Sequence, residues 1–222
     1  MTIYWYGHSC FKIVTKPEGR GSGGDVVIFA DPFDRSIGLR PPHGRADIVT
    51  VSHQHYDHNN VGSLKGEPQI VDIPGDYSIR GVSITGINSF HDKSEGAERG
   101  LNTIFIIESE GIRFCHLGDL GVKLDNNQLE EINGVDILAV PVGGIFTLNG
   151  KEAKEVVDQV GPKIVLPMHY KIPPLKIKID DEKKFCREIG ICPREKVDKL
   201  ILKKKDLSDE KIKVVLMNVV NA

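Results

Sequence analysis

Residues 53 to 58 read His-Gln-His-Tyr-Asp-His, three histidines and a carboxylate within six positions. The chain holds only eight histidines in 222 residues, and chance would assemble such a cluster in roughly one chain of this composition per thousand. Neutral imidazole and carboxylate are ligands that zinc, manganese and iron accept. In an extended segment residues two apart project to one side, so His53, His55 and Asp57 face a common point, and His58 needs a turn to join them. A loop with a local bend would present two histidines to one cation and the Asp-His pair to a second.

Six adjacent residues cannot complete two coordination shells, so this reading requires His or Asp side chains from elsewhere. Three candidates stand at the ends of apolar runs: His91 after Val82–Phe90, Asp119 in His-Leu-Gly-Asp after Ile112–Cys115, and His169 after Lys-Ile-Val-Leu-Pro. Ligands drawn from several strand-end loops make a more rigid site than ligands on one flexible segment.

The elements that must position them are mostly strands. Ile3–Tyr6, Cys10–Val14 and Val26–Ala30 read as strands, with the glycine cluster 19–24 as a hairpin loop, because glycine takes positive φ freely. Asp47–Val51 is a short apolar run suited to a buried strand, and it stops where the histidines begin. Tyr77–Phe90 and Thr103–His116 are β-rich, separated by a polar loop from His91 to Gly100. Ala153, Val156, Val157 and Val160 fall at i, i+3, i+4 and i+7, one face of an amphipathic helix that Gly161-Pro162 ends. Lys163–Leu166 resumes as a strand, Asp180–Ile189 has weaker helical patterning, and Lys199–Lys203 with Ile212–Met217 read as a closing hairpin. No linker or low-complexity stretch divides the chain, so one domain over 1–222 is expected.

Composition narrows the function. The 29 basic and 31 acidic residues nearly cancel, which disfavours nucleic acid and acidic membrane surfaces as partners. The lysines at 199, 203, 204, 205, 211 and 213 read as a solvated strand face and turn. No segment is long and apolar enough to cross a bilayer, and no signal sequence is evident. Cys10, Cys115, Cys186 and Cys192 lack a C-x-x-C spacing and read as small buried hydrophobes of a reducing cytoplasm. A small-molecule substrate is the expected partner, and a homo-oligomer is left open.

The ordered motifs resemble the metallo-β-lactamase superfamily: H-x-H-x-D-H at 53–58, the later lone His91, the Gly-Asp of 118–119 and the final His169. Gly-His-Ser-Cys-Phe at 7–11, Asp-Pro-Phe at 31–33, Pro-Val-Gly-Gly-Ile-Phe-Thr at 141–147 and Pro-Met-His-Tyr at 167–170 resemble its small hydrolases of the ascorbate-6-phosphate lactonase-like type. The likeness spans residues 7 to 170. It implies a four-layer αββα sandwich with two divalent metal ions at one edge of the two sheets. It further implies that His53, His55 and His91 hold the first ion, that Asp57, His58 and His169 hold the second, and that Asp119 bridges them. Histidine rather than glutamate at position 55 points away from the oxygen-reducing branch, and aspartate rather than cysteine at 119 points away from β-lactam hydrolysis.

The mechanism expected of such a centre is hydrolytic. Two cations roughly 3.5–4 Å apart share a water, lower its pKa and clamp a carbonyl or phosphoryl group, with the bridging hydroxide as nucleophile. Asp57 would orient that hydroxide or accept its proton. Asp31 is either a turn-forming Asp-Pro or a carboxylate orienting the 53–58 loop, the latter favoured by the resemblance. His8 and His116 are pocket-residue candidates, although a lone histidine is more often structural. Gly143-Gly144 is either a plain turn or a close approach of backbone to the groove, and His43 is expected to be exposed. The substrate expected is a small phosphorylated or lactone-like metabolite. The rival readings are a phosphodiesterase or nuclease of the same superfamily and a metal-binding protein without catalysis.

Overall fold

Runs of β-branched and aromatic residues build two sheets; the structure, a computed structural model, describes residues 1–17, 24–208 and 211–220. The first sheet uses β1 (Thr2–Gly7), β2 (Cys10–Thr15), β3 (Val26–Ala30), β4 (Ile48–Thr50) and β5 (Gln69–Val71). The second uses β6 (Gly75–Ile79), β7 (Val82–Phe90), β8 (Leu101–Ser109), β9 (Ile112–His116), β10 (Ile137–Pro141) and β11 (Ile164–Met168). Two short strands, β12 (Leu200–Ile201) and β13 (Lys213–Val214), complete them, in the orders β12-β1-β2-β3-β4-β5 and β13-β11-β10-β9-β8-β7-β6.

Both sheets are mixed. β1, β2 and β3 are antiparallel while β3, β4 and β5 run parallel. The second sheet is antiparallel from β6 to β9 and parallel from β9 through β10 and β11 to β13. Parallel strands covered on both faces carry continuous apolar runs, and β10 (Ile-Leu-Ala-Val-Pro) and β11 (Ile-Val-Leu-Pro-Met) are buried at every position. β7 instead starts as an alternation, with Ser83 exposed between buried Val82 and Ile84. The inner faces meet in one apolar cluster, in which Phe11 of the first sheet lies 5.9 Å edge-to-face from Phe114 of the second.

Helices are few: α1 (Asn126–Ile132), α2 (Gly150–Val160) and α3 (Lys183–Ile189), with α2 packed on β10 and flanked by the other two. This is the expected α/β sandwich of two mixed sheets, with the α-helices grouped around α2. Asn149 caps α2 in a capping box with Glu152, and Gly161 ends it at φ 60°, a left-handed cap that glycine enters without a Cβ clash. Sequence patterning overlooked α1, whose start is signalled by Asp125 and Gln128 in the same reciprocal cap.

Three expectations meet different outcomes. The closing hairpin does not form: β12 pairs antiparallel with β1, whereas β13 pairs parallel with β11. Each sheet has an open edge whose backbone groups need partners, and each short run satisfies a different edge; Val197 and Met217 meet only in a single bridge. The cysteines also divide. Cys10 and Cys115 are buried and free as expected, but Cys186 and Cys192 are joined in a disulfide. A spacing of six residues, with α3 ending at Gly190 between them, brings the two chain segments together, which no C-x-x-C rule detects. Of the expected glycine hairpin loop, residues 19–23 lie outside the described residues. Among the described residues no helix is long and apolar enough to cross a membrane.

Candidate metal centre

Six strands, three from each sheet, deliver the site residues at their C-terminal ends. β1 is followed by His8, β3 by Asp31 and β4 by the 53–58 loop, while β7 is followed by His91, β9 by Asp119 and β11 by His169. Hydrogen bonds between the sheets hold these ends in register: Thr103 N–H to the Ser52 carbonyl at 2.8 Å and His169 N–H to the His8 carbonyl at 3.0 Å. His8, Asp31 and His169 all adopt positive φ, at 52°, 47° and 52°, a conformation that surrounding structure must enforce in residues other than glycine.

The expected residues come together. His53, His55 and His91 form one group and His8, Asp57, His58 and His169 another, with ligand-type atoms in each group lying within 4.8 Å of one another. Asp119 stands between the groups. Its Oδ2 lies 3.3 Å from His58 Nε2, 3.3 Å from His91 Nε2 and 3.2 Å from His169 Nε2. All are buried except His55, which is exposed, and Asp57, which is half-buried.

Local hydrogen bonds explain how the imidazoles are aimed. Asp31 is fully buried; its Oδ1 accepts from Ser52 N–H at 2.8 Å, and its Oδ2 from the Ser52 hydroxyl at 2.6 Å and from His58 Nδ1 at 2.8 Å. In the neutral ring, donation from Nδ1 leaves the lone pair of His58 on Nε2. The Ser52 hydroxyl also touches His53 Nδ1 at 2.9 Å. The Nε2 atoms of His53 and His58 are buried and find no hydrogen-bond partner among the described residues. Buried polar atoms without partners are uncommon in folded proteins, and a bound ion is one thing that satisfies them. Two such nitrogens beside a buried carboxylate oxygen match the N/O donor set of zinc, manganese or iron. The residues therefore fit a metal centre.

The electrostatics follow from burial and neighbouring charge. Burial, then His58, pushes His53 down to about 3, and burial, then His169, pushes His8 down to about 4, so both are neutral bases at physiological pH. Burial opposes the charge on His58 as well, but Asp119 and Asp31 outweigh it and hold its pKa well above the usual value. Asp119 is correspondingly held far below the usual carboxylate range: burial would raise it, and His169 and His58 reverse that effect. Burial also acts to raise Asp57, yet the hydrogen bond from His8 at 3.1 Å and the charge of His58 keep it low.

The remaining expectations resolve individually. His116 has both nitrogens occupied, Nε2 with the Ser9 carbonyl at 2.8 Å and Nδ1 accepting from Gly118 N–H at 3.2 Å, so it is a satisfied structural histidine. His8 instead joins the site through Asp57. A Cβ on Gly143 would overlap the His169 carbonyl oxygen, so that glycine marks a close approach of backbone rather than a plain turn. His43 is exposed as expected.

Sequence reading overlooked Asn102. Its Oδ1 accepts from Asp119 N–H at 2.8 Å and its Nδ2 donates to the Leu117 carbonyl at 2.9 Å, pinning the turn that carries Asp119. An asparagine inside the apolar run Leu101–Ile107 is the one sequence signal that points to it.

Comparison with known proteins supplies the family. Residues 2–169 match the family described as the β-lactamase superfamily domain. A UPF0173 metal-dependent hydrolase of Thermococcus onnurineus is 28% identical over 90% of this chain and 96% of its own length. A Thermotoga maritima protein assigned as a Zn-dependent hydrolase of the metallo-β-lactamase superfamily is 40% identical. Its crystal structure superposes with a TM-score of 0.76, over 97% of each chain. Igni18, a metallo hydrolase of Ignicoccus hospitalis, shares the fold at 21% identity, with a TM-score of 0.59 over 97% of this chain and 94% of its own. With two sheets converging on a His/Asp cluster and a family match across three quarters of its length, this chain belongs to the metallo-β-lactamase superfamily.

Proposed function

We propose that this chain is a metal-dependent hydrolase with a binuclear centre. In this reading His53, His55 and His91 hold one divalent cation, Asp57, His58 and His169 hold the other, and Asp119 lies between them. Zinc is the first choice, with manganese and iron as alternatives. The observation that carries the reading is Asp119 Oδ2, a single buried carboxylate oxygen facing the Nε2 atoms of three histidines at 3.2–3.3 Å.

Cations held there supply Lewis acidity to a carbonyl or phosphoryl oxygen and lower the pKa of a water toward neutrality. The protein's own residues do the rest. Asp57 is a carboxylate at neutral pH, oriented by His8, and takes the proton that the attacking water gives up. Asp31 and Ser52 fix the ring orientations of His58 and His53. The cavity beside the cluster has a volume of about 280 Å³ and is walled in part by Tyr56, Phe146 and Ile177. That suits a small phosphorylated or lactone or ester-like metabolite better than a polymer.

Metal analysis of the purified protein, combined with turnover of phosphodiester, lactone and thioester panels, tests the proposal. Two equivalents of metal with lactone or thioester turnover that Asp57→Ala abolishes is the expected result. Two metals without turnover on any panel would favour a non-catalytic metal protein. RNA cleavage with steep salt dependence would favour a nuclease instead. The proposal includes one domain over 1–222, since a single apolar cluster joins both sheets, and a cytoplasmic location. The Cys186–Cys192 bridge weighs against that location, and thiol labelling of protein taken directly from cells decides it.

A further inference from the structure

The loop between His91 and Gly100 does more than follow a histidine. Asp92 accepts four backbone N–H groups from it: Ser94 at 2.8 Å and Gly96 at 3.0 Å on Oδ1, Glu98 at 3.1 Å and Arg99 at 2.7 Å on Oδ2. The loop closes on itself through His91 N–H to the Gly100 carbonyl at 3.2 Å. A carboxylate saturated by four amides freezes the backbone of a polar loop that has few apolar anchors of its own. The residue this brace presents to the groove is Arg99.

Arg99 lines the same cavity as His55, Asp57, His91, Asp119 and His169. It also lines the adjoining cavity of about 300 Å³, walled largely by polar residues, so it stands at the junction of the two. Its guanidinium carbon lies over Phe146, 5.2 Å from the ring centroid, a cation–π contact that leaves its N–H donors unused. Among the described residues its one carboxylate neighbour is Glu98 at 3.7 Å, outside hydrogen-bond distance, and the guanidinium makes no hydrogen bond. The other cation of the second cavity, Lys93, is engaged by Glu152, which also caps α2. The remaining acid, Asp92, has both oxygens on backbone amides. Arg99 is thus the cation of this groove with donors to spare.

We propose that Arg99 is the specificity-determining residue of the groove, binding the carboxylate or phosphate of an anionic substrate whose apolar body lies against Tyr56, Phe146 and Ile177. The proposal rests on the metallo-hydrolase reading only for where the reacting group sits. A planar guanidinium matches either anion in a two-point fashion that an ammonium cannot reproduce.

The test uses metal-loaded full-length protein and three aryl acetates: neutral phenyl acetate, 4-carboxyphenyl acetate and 4-(phosphonooxy)phenyl acetate. Water cleaves each to acetate and the corresponding phenol. The preference, kcat/KM for the anionic ester divided by that for the neutral one, is expected to fall on the order of 30-fold in Arg99→Gln, mostly through KM. Arg99→Lys is expected to recover part of it. The ester with the larger loss identifies the anion. An unchanged preference in Arg99→Gln, at equal metal content, overturns the proposal. Absence of turnover of all three esters by the metal-loaded wild type counts against the hydrolase reading alone. In that event calorimetric binding of 4-hydroxybenzoate and 4-hydroxyphenyl phosphate decides: a loss on the order of 30-fold in Arg99→Gln supports the assignment, and equal affinity refutes it.

Discussion

Substituting Asp31 by asparagine isolates how a residue that ligates nothing controls the centre. The change keeps the shape, and the amide oxygen of Asp31→Asn still accepts from Ser52 N–H, replacing the 2.8 Å bond made by Asp31 Oδ1. The amide nitrogen, however, replaces the oxygen that faces the Ser52 hydroxyl at 2.6 Å and His58 Nδ1 at 2.8 Å. A hydroxyl rotates to accept from the new donor, but an imidazole accepts at Nδ1 only by moving its proton to Nε2. That proton then occupies the nitrogen assigned to the metal. Keeping the ligating tautomer instead forfeits a charge-assisted hydrogen bond, which is worth about 1.5–3 kcal/mol. The same range follows from the 10–100-fold loss of affinity typical when a ligand-orienting residue is removed, about 1.4–2.7 kcal/mol. Competition with a chromophoric chelator, run with zinc on folded protein, should therefore show one site weakened about 10–100-fold and the His53/His55/His91 site much less affected. Wild-type affinity at both sites in a folded Asp31→Asn protein would refute the role given to Asp31.

Asp119→Asn removes the charge that faces three imidazoles, so elemental analysis should show both metals reduced and hydrolytic activity lowered by at least about 100-fold. Gly143→Ala places a methyl against the His169 carbonyl; overpacking of this kind costs about 1–3 kcal/mol, a fall in Tm of roughly 2–12 °C for a chain of this size, with weaker metal binding because His169 shifts. The pH dependence of stability should report Asp136, which is buried against Lys204 at 2.8 Å and Lys163 at 3.1 Å. Burial acts to raise its pKa, but the bond to Lys204, Arg113 N–H and Lys163 hold it below the usual value. A depressed carboxylate contributes stability that is complete above its unfolded pKa, about 3.9, and is lost as pH falls through the folded one. Urea unfolding at pH 7 and pH 3 should therefore show a smaller acid loss in Asp136→Asn than in wild type, and an equal loss would remove Asp136 as the cause.

Much of the candidate site is legible in the sequence, because metal ligation demands particular side-chain chemistry and the chain places that chemistry at the ends of apolar runs. His53, His55, Asp57 and His58 announce themselves by density, and His91, Asp119 and His169 by position. The strands were legible for a related reason: β10 and β11 are buried on both faces, and only unbroken apolar runs survive there. The amphipathic face of α2 and its glycine stop were equally plain.

What lay beyond the sequence depends on which surfaces meet. The runs at 200–201 and 213–214 have the composition of paired strands, but their partners are edges supplied by β1 and β11, far away in the chain. Cys186 and Cys192 become a bridge only because α3 turns back at Gly190. Asn102, Ser52 and Arg99 carry no motif, and their significance comes from a carbonyl, an imidazole or a groove contributed by another strand. The chain by itself therefore determined which side chains could hold a metal and where most of the strands run, since those are local consequences of donor chemistry and hydrophobic period. Tertiary structure alone decided which groups orient the rings of His53 and His58, which edge each short strand completes and which cation faces the groove, because each is a relation between surfaces distant in sequence.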